Sequence, residues 1–119
     1  MRNKKNKFEW NKVIFNVVYA LLNLVLTVLF YDKILFLTML LIILAIVGHF
    51  IWKSKITLII WGVWAIGGPL TEVICIYFGV WSYSYSSFLG IPLWLILLWG
   101  NTAAYIYEFS KLISRFGVK

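Results

Sequence analysis

Hydrophobic positions fall into four long runs, at 13–31, 34–51, 56–80 and 91–106, separated by short polar or aromatic breaks. At a helical rise of about 1.5 Å per residue, each run crosses or nearly crosses a hydrocarbon core roughly 30 Å thick. Backbone groups in lipid must be satisfied within the segment, and the runs lack the period of two that barrel strands show, so the pattern predicts helices. The connections are Asp32-Lys33, then Trp52 to Lys55, then Trp81 to Gly90. Connections this short favour antiparallel neighbours. The expected fold is all-α: an integral membrane four-helix bundle, up-down, forming a single domain over 1–119.

Gly67-Gly68-Pro69 interrupts the third run. Proline removes a backbone donor and clashes with the preceding turn, so the third helix is expected to be kinked or broken there, with the irregular backbone facing the bundle interior. Pro92 falls where the fourth run starts, at a first-turn position that suits proline. The first run begins like a signal peptide, yet its core is too long and it ends at Tyr31-Asp32-Lys33 without a small-residue cleavage site; it is expected to stay as an anchor.

Composition agrees with the pattern. The chain is 63% hydrophobic and 13% charged, with a mean hydropathy of +0.92, outside the range of soluble domains. A formal charge of +7 invites a nucleic-acid reading, which the placement of the charges opposes. Arg2, Lys4, Lys5, Lys7 and Lys12 precede the first run, Lys53 and Lys55 lie between the second and third, and Lys111, Arg115 and Lys119 follow the fourth. That leaves Lys33 alone on the other side, which is the positive-inside pattern. It predicts a multi-pass protein of the cell membrane with N- and C-termini cytoplasmic, whose basic segments meet anionic lipid and not nucleic acid. The single cysteine, Cys75, offers no disulfide framework. No metal-ligand cluster surrounds the single histidine, His49, and no phosphate-binding glycine loop is present, so no metal or cofactor is expected.

Small and polar residues recur at helical spacing in each run: Asn16, Ala20, Asn23 and Thr27; Thr38, Ala45 and His49, with Ile42 between; Gly68, Glu72, Cys75 and Gly79; Leu98, Asn101, Tyr105 and Glu108, with Trp94 a turn earlier. Lipid-compatible helices with one such stripe are expected to turn the stripes toward one another. Counting from the outer ends places Glu72, Asn23 and Trp99 roughly 12 Å below the boundary, with Asn101 slightly deeper. The expectation is a polar layer of Glu72, Asn23 and Asn101, walled by Trp and Tyr. Asn16, His49 and Glu108 form a second layer near the cytoplasmic boundary. An ionised carboxylate at the depth of Glu72 costs about 2.5 kcal/mol or more, and no cation lies near it in sequence. A carboxylic acid kept neutral in an apolar pocket is a proton donor.

The ordered run Glu72, Gly79-Val80-Trp81-Ser82-Tyr83, Leu89-Gly90-Ile91-Pro92 and Trp99 resembles membrane proteins of carotenoid biosynthesis, the carotenoid hydratase and lycopene cyclase domain families, over about residues 67–101. The resemblance implies acid-initiated chemistry: a carboxylic acid protonates a polyene double bond, and water or ring closure captures the cation. It assigns Glu72 the role of general acid, and Trp81, Tyr83, Trp94 and Trp99 that of cation-stabilising walls. Pro92 is followed here by Leu93-Trp94-Leu95 where the cyclase domain carries acidic residues, and the hydratases are roughly twice as long, so the resemblance implies a half-sized unit that needs a partner or a relative that has lost the reaction.

Three classes of function stay open on these residues. One is an enzyme, or a subunit of one, acting on a carotenoid or other isoprenoid lipid, with Glu72 catalytic and Asn23, Trp81, Tyr83, Trp94, Trp99 and Asn101 lining the site. The second is a small proton-coupled transporter with Glu72 as the proton or cation site. The third is a noncatalytic membrane assembly subunit in which Glu72 locks helix packing. Four short helices enclose little room, so the first and third both favour a homo- or hetero-oligomer.

Overall fold

The computed structural model describes residues 2–115, with side chains from Trp10 onward. Lys119 and the side chains of Arg2, Lys4, Lys5 and Lys7, which carry much of the charge asymmetry, lie outside the described residues. Four helices follow in order: α1 (Arg2–Phe30), α2 (Ile34–Trp52), α3 (Lys55–Tyr77) and α4 (Trp94–Arg115). Among the described residues the only β pairing is an isolated bridge between Phe88 and Ile91. The expected all-α bundle is the fold observed.

Among the described residues three helices are long and apolar enough to cross a membrane: α1 from Trp10, α2 and α3. α4 is comparable in length, but Asn101, Glu108 and Lys111 dilute its apolar character. Its place in the bundle answers that deficit. α4 packs against all three other helices, most extensively against α3, while α1 and α3 do not touch. The helix least suited to lipid is the one most surrounded by protein, as the cost of polar groups in hydrocarbon requires.

Cross-helix contacts fix the directions. Trp94 at the start of α4 donates its indole N–H to the carbonyl of Tyr31 just after α1 (3.1 Å). At the other end Phe15 of α1 meets Trp52 of α2 edge-on, with centroids 6.0 Å apart. Thr57 near the start of α3 donates to Glu108 near the end of α4. Successive helices are therefore antiparallel. One end of the bundle carries the 78–93 connection; the other gathers Lys12, Lys53, Lys55, Lys111 and Arg115.

The buried positions confirm a helical stripe on each element and adjust its rotation. α1 buries Asn16, Tyr19 and Asn23. α2 buries Leu37, Thr38, Leu41, Ala45 and Gly48, so Leu41 lies on the inner face and Ile42, its neighbour, is exposed. α3 buries Thr57, Ala65, Gly68, Pro69 and Glu72, while Gly79 is exposed. α3 runs unbroken through Gly67-Gly68-Pro69, which excludes a break there; Gly68 and Pro69 are buried.

α3 ends earlier than its apolar run, because Gly79 takes a left-handed φ of 77°. Val80 N–H then bonds back to Cys75 C=O (2.9 Å) and Gly79 N–H to Ile76 C=O (3.0 Å), the paired closure of a Schellman motif. Leu89 and Gly90 both have positive φ, 52° and 82°, and Ile91 N–H bonds Phe88 C=O (2.9 Å). Residues 88–91 thus form a type I′ turn ahead of α4, so Ile91 and Pro92, where the fourth apolar run begins, precede the helix. Pro92 sits just before the helix, where its carbonyl accepts Leu95 N–H (3.1 Å).

Candidate functional site

Glu72 is 7% exposed and both of its carboxylate oxygens are taken. The Tyr83 hydroxyl donates to Oε1, and the Trp99 indole N–H donates to Oε2. Tyr83 comes from the connection after α3 and Trp99 from α4, so one carboxyl ties three segments together. Indole N–H is a donor only, which makes Oε2 an acceptor whatever the proton count. Burial, together with the bond to Glu72 and that group's charge, pushes the Tyr83 phenol well above the ordinary tyrosine range. Tyr83 therefore stays neutral and holds its proton on the Glu72 side. Its ring stands edge-on to Trp94, with centroids 6.3 Å apart and planes at 87°.

Trp99 is fixed from both sides. Its ring stacks on Trp64 with centroids 6.2 Å apart and planes at 16°, and it lies against Gly68 so closely that a β-carbon there would stand 2.0 Å from Cδ2. Gly68 lies one turn before Glu72, so the glycine admits the indole that the carboxylate then binds.

The same device recurs in reverse one layer away. Trp61 of α3 lies against Gly100 of α4, where a β-carbon would come within 2.5 Å of the ring, and its N–H donates to Asn101 Oδ1 (2.8 Å). Asn101 is fully buried. Its Nδ2 donates to Asn23 Oδ1 (3.0 Å) and to the Leu41 carbonyl (3.1 Å). Asn23 in turn donates to Tyr19 C=O (2.9 Å) and its carbonyl accepts Thr27 Oγ1 (2.7 Å). Asn101 is thereby a hub joining all four helices.

The seven residues predicted for the site thus fall into separate hydrogen-bonded groups. Asn23 and Asn101 bond each other. Glu72, Tyr83 and Trp99 form a second group, with Trp94 against Tyr83. Trp81 is exposed. Sequence reasoning missed Trp61, Trp64 and Gly100. Trp61 lies seven residues before Gly68 and eleven before Glu72, so the helical spacing that picked out the stripe also contains it.

A third polar group lies at the basic end. Glu108 accepts from Thr57 and pairs with Lys111 (3.1 Å). His49 stands edge-on to Trp52 and Trp61, and both of its ring nitrogens are buried without a hydrogen-bond partner among the described residues, as is Asn16 Oδ1.

Cavities open at the basic end and on the α3–α4 face of the described residues. One, of about 490 Å³, opens at the basic end between α1, α2 and α4. The other, of about 480 Å³, is a groove along α3 and α4 walled by Ile60, Trp64, Trp99, Ala103, Ile106 and Tyr107 among others. Neither has Glu72 in its wall. No group of three or more His, Cys, Asp or Glu that would hold a metal occurs among the described residues. Compared with known proteins, the chain matches no family model, no curated protein and no solved structure.

Proposed function

We propose that this chain is a small polytopic membrane protein acting as a noncatalytic assembly subunit, in which Glu72 locks α3, the 78–93 connection and α4 into one unit. The observation that carries the reading is the double engagement of the carboxyl: Tyr83 and Trp99 occupy both oxygens. A general acid needs a substrate atom within hydrogen-bond reach, and a proton-coupled transporter needs a water route to its carboxyl. Neither cavity wall includes Glu72.

One observation favours a second reading, an isoprenoid-lipid enzyme or a subunit of one. The Trp99 ring lines the groove along α3 and α4 while its N–H holds Glu72, and a volume of about 480 Å³ lies within the range of ligand pockets. An apolar chain seated on Trp64 and Trp99 would lie one indole away from the carboxyl, and turning Trp99 would bring acid and chain together.

The variants Glu72→Gln and Glu72→Leu, with lipid extraction and mass spectrometry of each purified protein, separate the readings. The assembly reading expects Glu72→Gln to fold and assemble, since an amide can accept from Trp99 and donate to the Tyr83 oxygen. It expects Glu72→Leu to lose stability and assembly, and no isoprenoid to be retained by either. A retained isoprenoid whose conversion stops in a well-folded Glu72→Gln protein would overturn it in favour of the enzyme.

A further inference from the structure

The cavity of about 490 Å³ at the basic end takes no part in the Glu72 arrangement, and its wall has a distinct chemistry. Among the described wall residues, Lys12 of α1, Lys53 after α2, and Lys111 and Arg115 of α4 contribute four cations and Glu108 one carboxylate. Glu108 is already bonded to Thr57 and to Lys111. Phe15, Ile51, Trp52 and Leu112 supply apolar wall beside these charges.

We infer that this cavity is a binding site for a phosphate-bearing anion, and that its apolar wall suits the phosphodiester headgroup of an anionic phospholipid. Four cations drawn from three separate segments line one concavity, and basic charge gathered along a concave wall focuses positive potential more than a charged tail can. The cavity also lies at the right level. It opens where α2 ends at Trp52 and where α1 passes from its basic segment into its apolar one, which is where headgroups meet a helix that crosses the bilayer. Basic pockets between spanning helices suit such headgroups. Arg115 offers a planar fork that matches two phosphate oxygens, and the lysines act as point charges. Lys53 is held with a left-handed φ of 52°, its N–H on the His49 carbonyl, so its position follows from how α2 terminates.

The test uses the full chain purified in a mild detergent and reconstituted into nanodiscs of phosphatidylcholine alone or with phosphatidylglycerol. Lipid retained after detergent exchange is counted by native mass spectrometry. The wild-type chain is expected to retain phosphatidylglycerol in preference to phosphatidylcholine. The double variant Lys53→Asn with Arg115→Gln removes two wall charges, and asparagine tolerates the left-handed backbone at position 53. Its retention should fall about tenfold or more. Lys33→Gln with Lys55→Gln removes the same charge at described positions outside the cavity wall and should leave retention within about twofold of wild type. Circular dichroism of each variant establishes that the helices are intact. Equal losses in both double variants would overturn the site, because attraction would then follow net charge; so would equal retention of the two lipids by the wild type. Displacement of phosphatidylglycerol by millimolar inorganic phosphate would support the site and assign it to a soluble phosphate. Persistence of the lipid would support the site and assign it to the headgroup.

Discussion

Gly67 and Gly68 are adjacent in sequence and opposite in consequence. A β-carbon at Gly68 would stand 2.0 Å from Trp99 Cδ2 and 2.4 Å from Cγ and Cε3, where carbon atoms in contact prefer about 3.5–4.0 Å. Those atoms belong to the root and centre of the indole, so the ring cannot yield by swinging a distal edge. Overpacking of this kind costs about 1–3 kcal/mol. Moving the ring also withdraws its N–H from Glu72 and leaves a buried oxygen unpaired, at a further cost of about 1–3 kcal/mol. Gly68→Ala should therefore destabilise the protein by about 2–6 kcal/mol. At Gly67 a β-carbon would meet nothing within 4 Å, and alanine is the better helix former by up to about 1 kcal/mol, so Gly67→Ala should be neutral or stabilising. Titration with sodium dodecyl sulfate from a mild detergent, followed by far-UV circular dichroism and tryptophan fluorescence, measures both variants on one scale. A Gly68→Ala protein within about 1 kcal/mol of wild type, or a Gly67→Ala protein as damaged as Gly68→Ala, would refute the packing argument and with it the account of how Trp99 is held on Glu72.

Three further outcomes follow from the same contacts. Asn101→Ala strands the Trp61 N–H and the Asn23 Oδ1 together, and should cost about 1–2 kcal/mol in the same titration; Trp61 fluorescence should shift as its partner disappears. Because the folded state holds the Tyr83 proton more tightly than the unfolded chain does, the stability that Tyr83 contributes should be constant below the ordinary tyrosine value near 10 and decline above it as the unfolded phenol ionises first. Tyr83→Phe should reduce the alkaline decline, and an unchanged profile would count against Tyr83 as a contributing group. Leu89 adopts a left-handed φ of 52° that asparagine accepts more readily, so Leu89→Asn should raise the thermal midpoint through a gain of about 1 kcal/mol; a lower midpoint would contradict the type I′ turn.

How far the chain could be read in advance differs from residue to residue. The runs, their helical state and their number were legible because lipid permits few backbone solutions, and each run carries its own signal. Glu72, Asn23 and Asn101 were legible as interior residues for the same reason: a polar group has few stable places on such a helix. Their grouping was not. Asn23 and Trp99 lie at similar counted depths to Glu72, yet Asn101 and Asn23 bond each other while Trp99 binds Glu72. A count along separate helices has no access to their relative rotation, and Ile42 shows the size of that error, since one residue separates it from the buried Leu41. The end of α3 and the start of α4 were misplaced because hydrophobicity continues through Val80 and resumes at Ile91, whereas the backbone stops at the positive φ of Gly79 and turns at Leu89 and Gly90.

The sequence alone determined that this is a bundle of apolar helices with a strong charge bias between its connections and one carboxylate in an apolar setting, because hydrophobicity, charge and helix periodicity are properties of each segment by itself. Only the tertiary structure decided that α4 lies among the other three helices, that Gly68 and Gly100 each receive a tryptophan from the facing helix, and that Glu72 ends between Tyr83 and Trp99. Those outcomes depend on which side chains fill which gaps at the α3–α4 contact, and close packing between helices is a relation that no single helix contains.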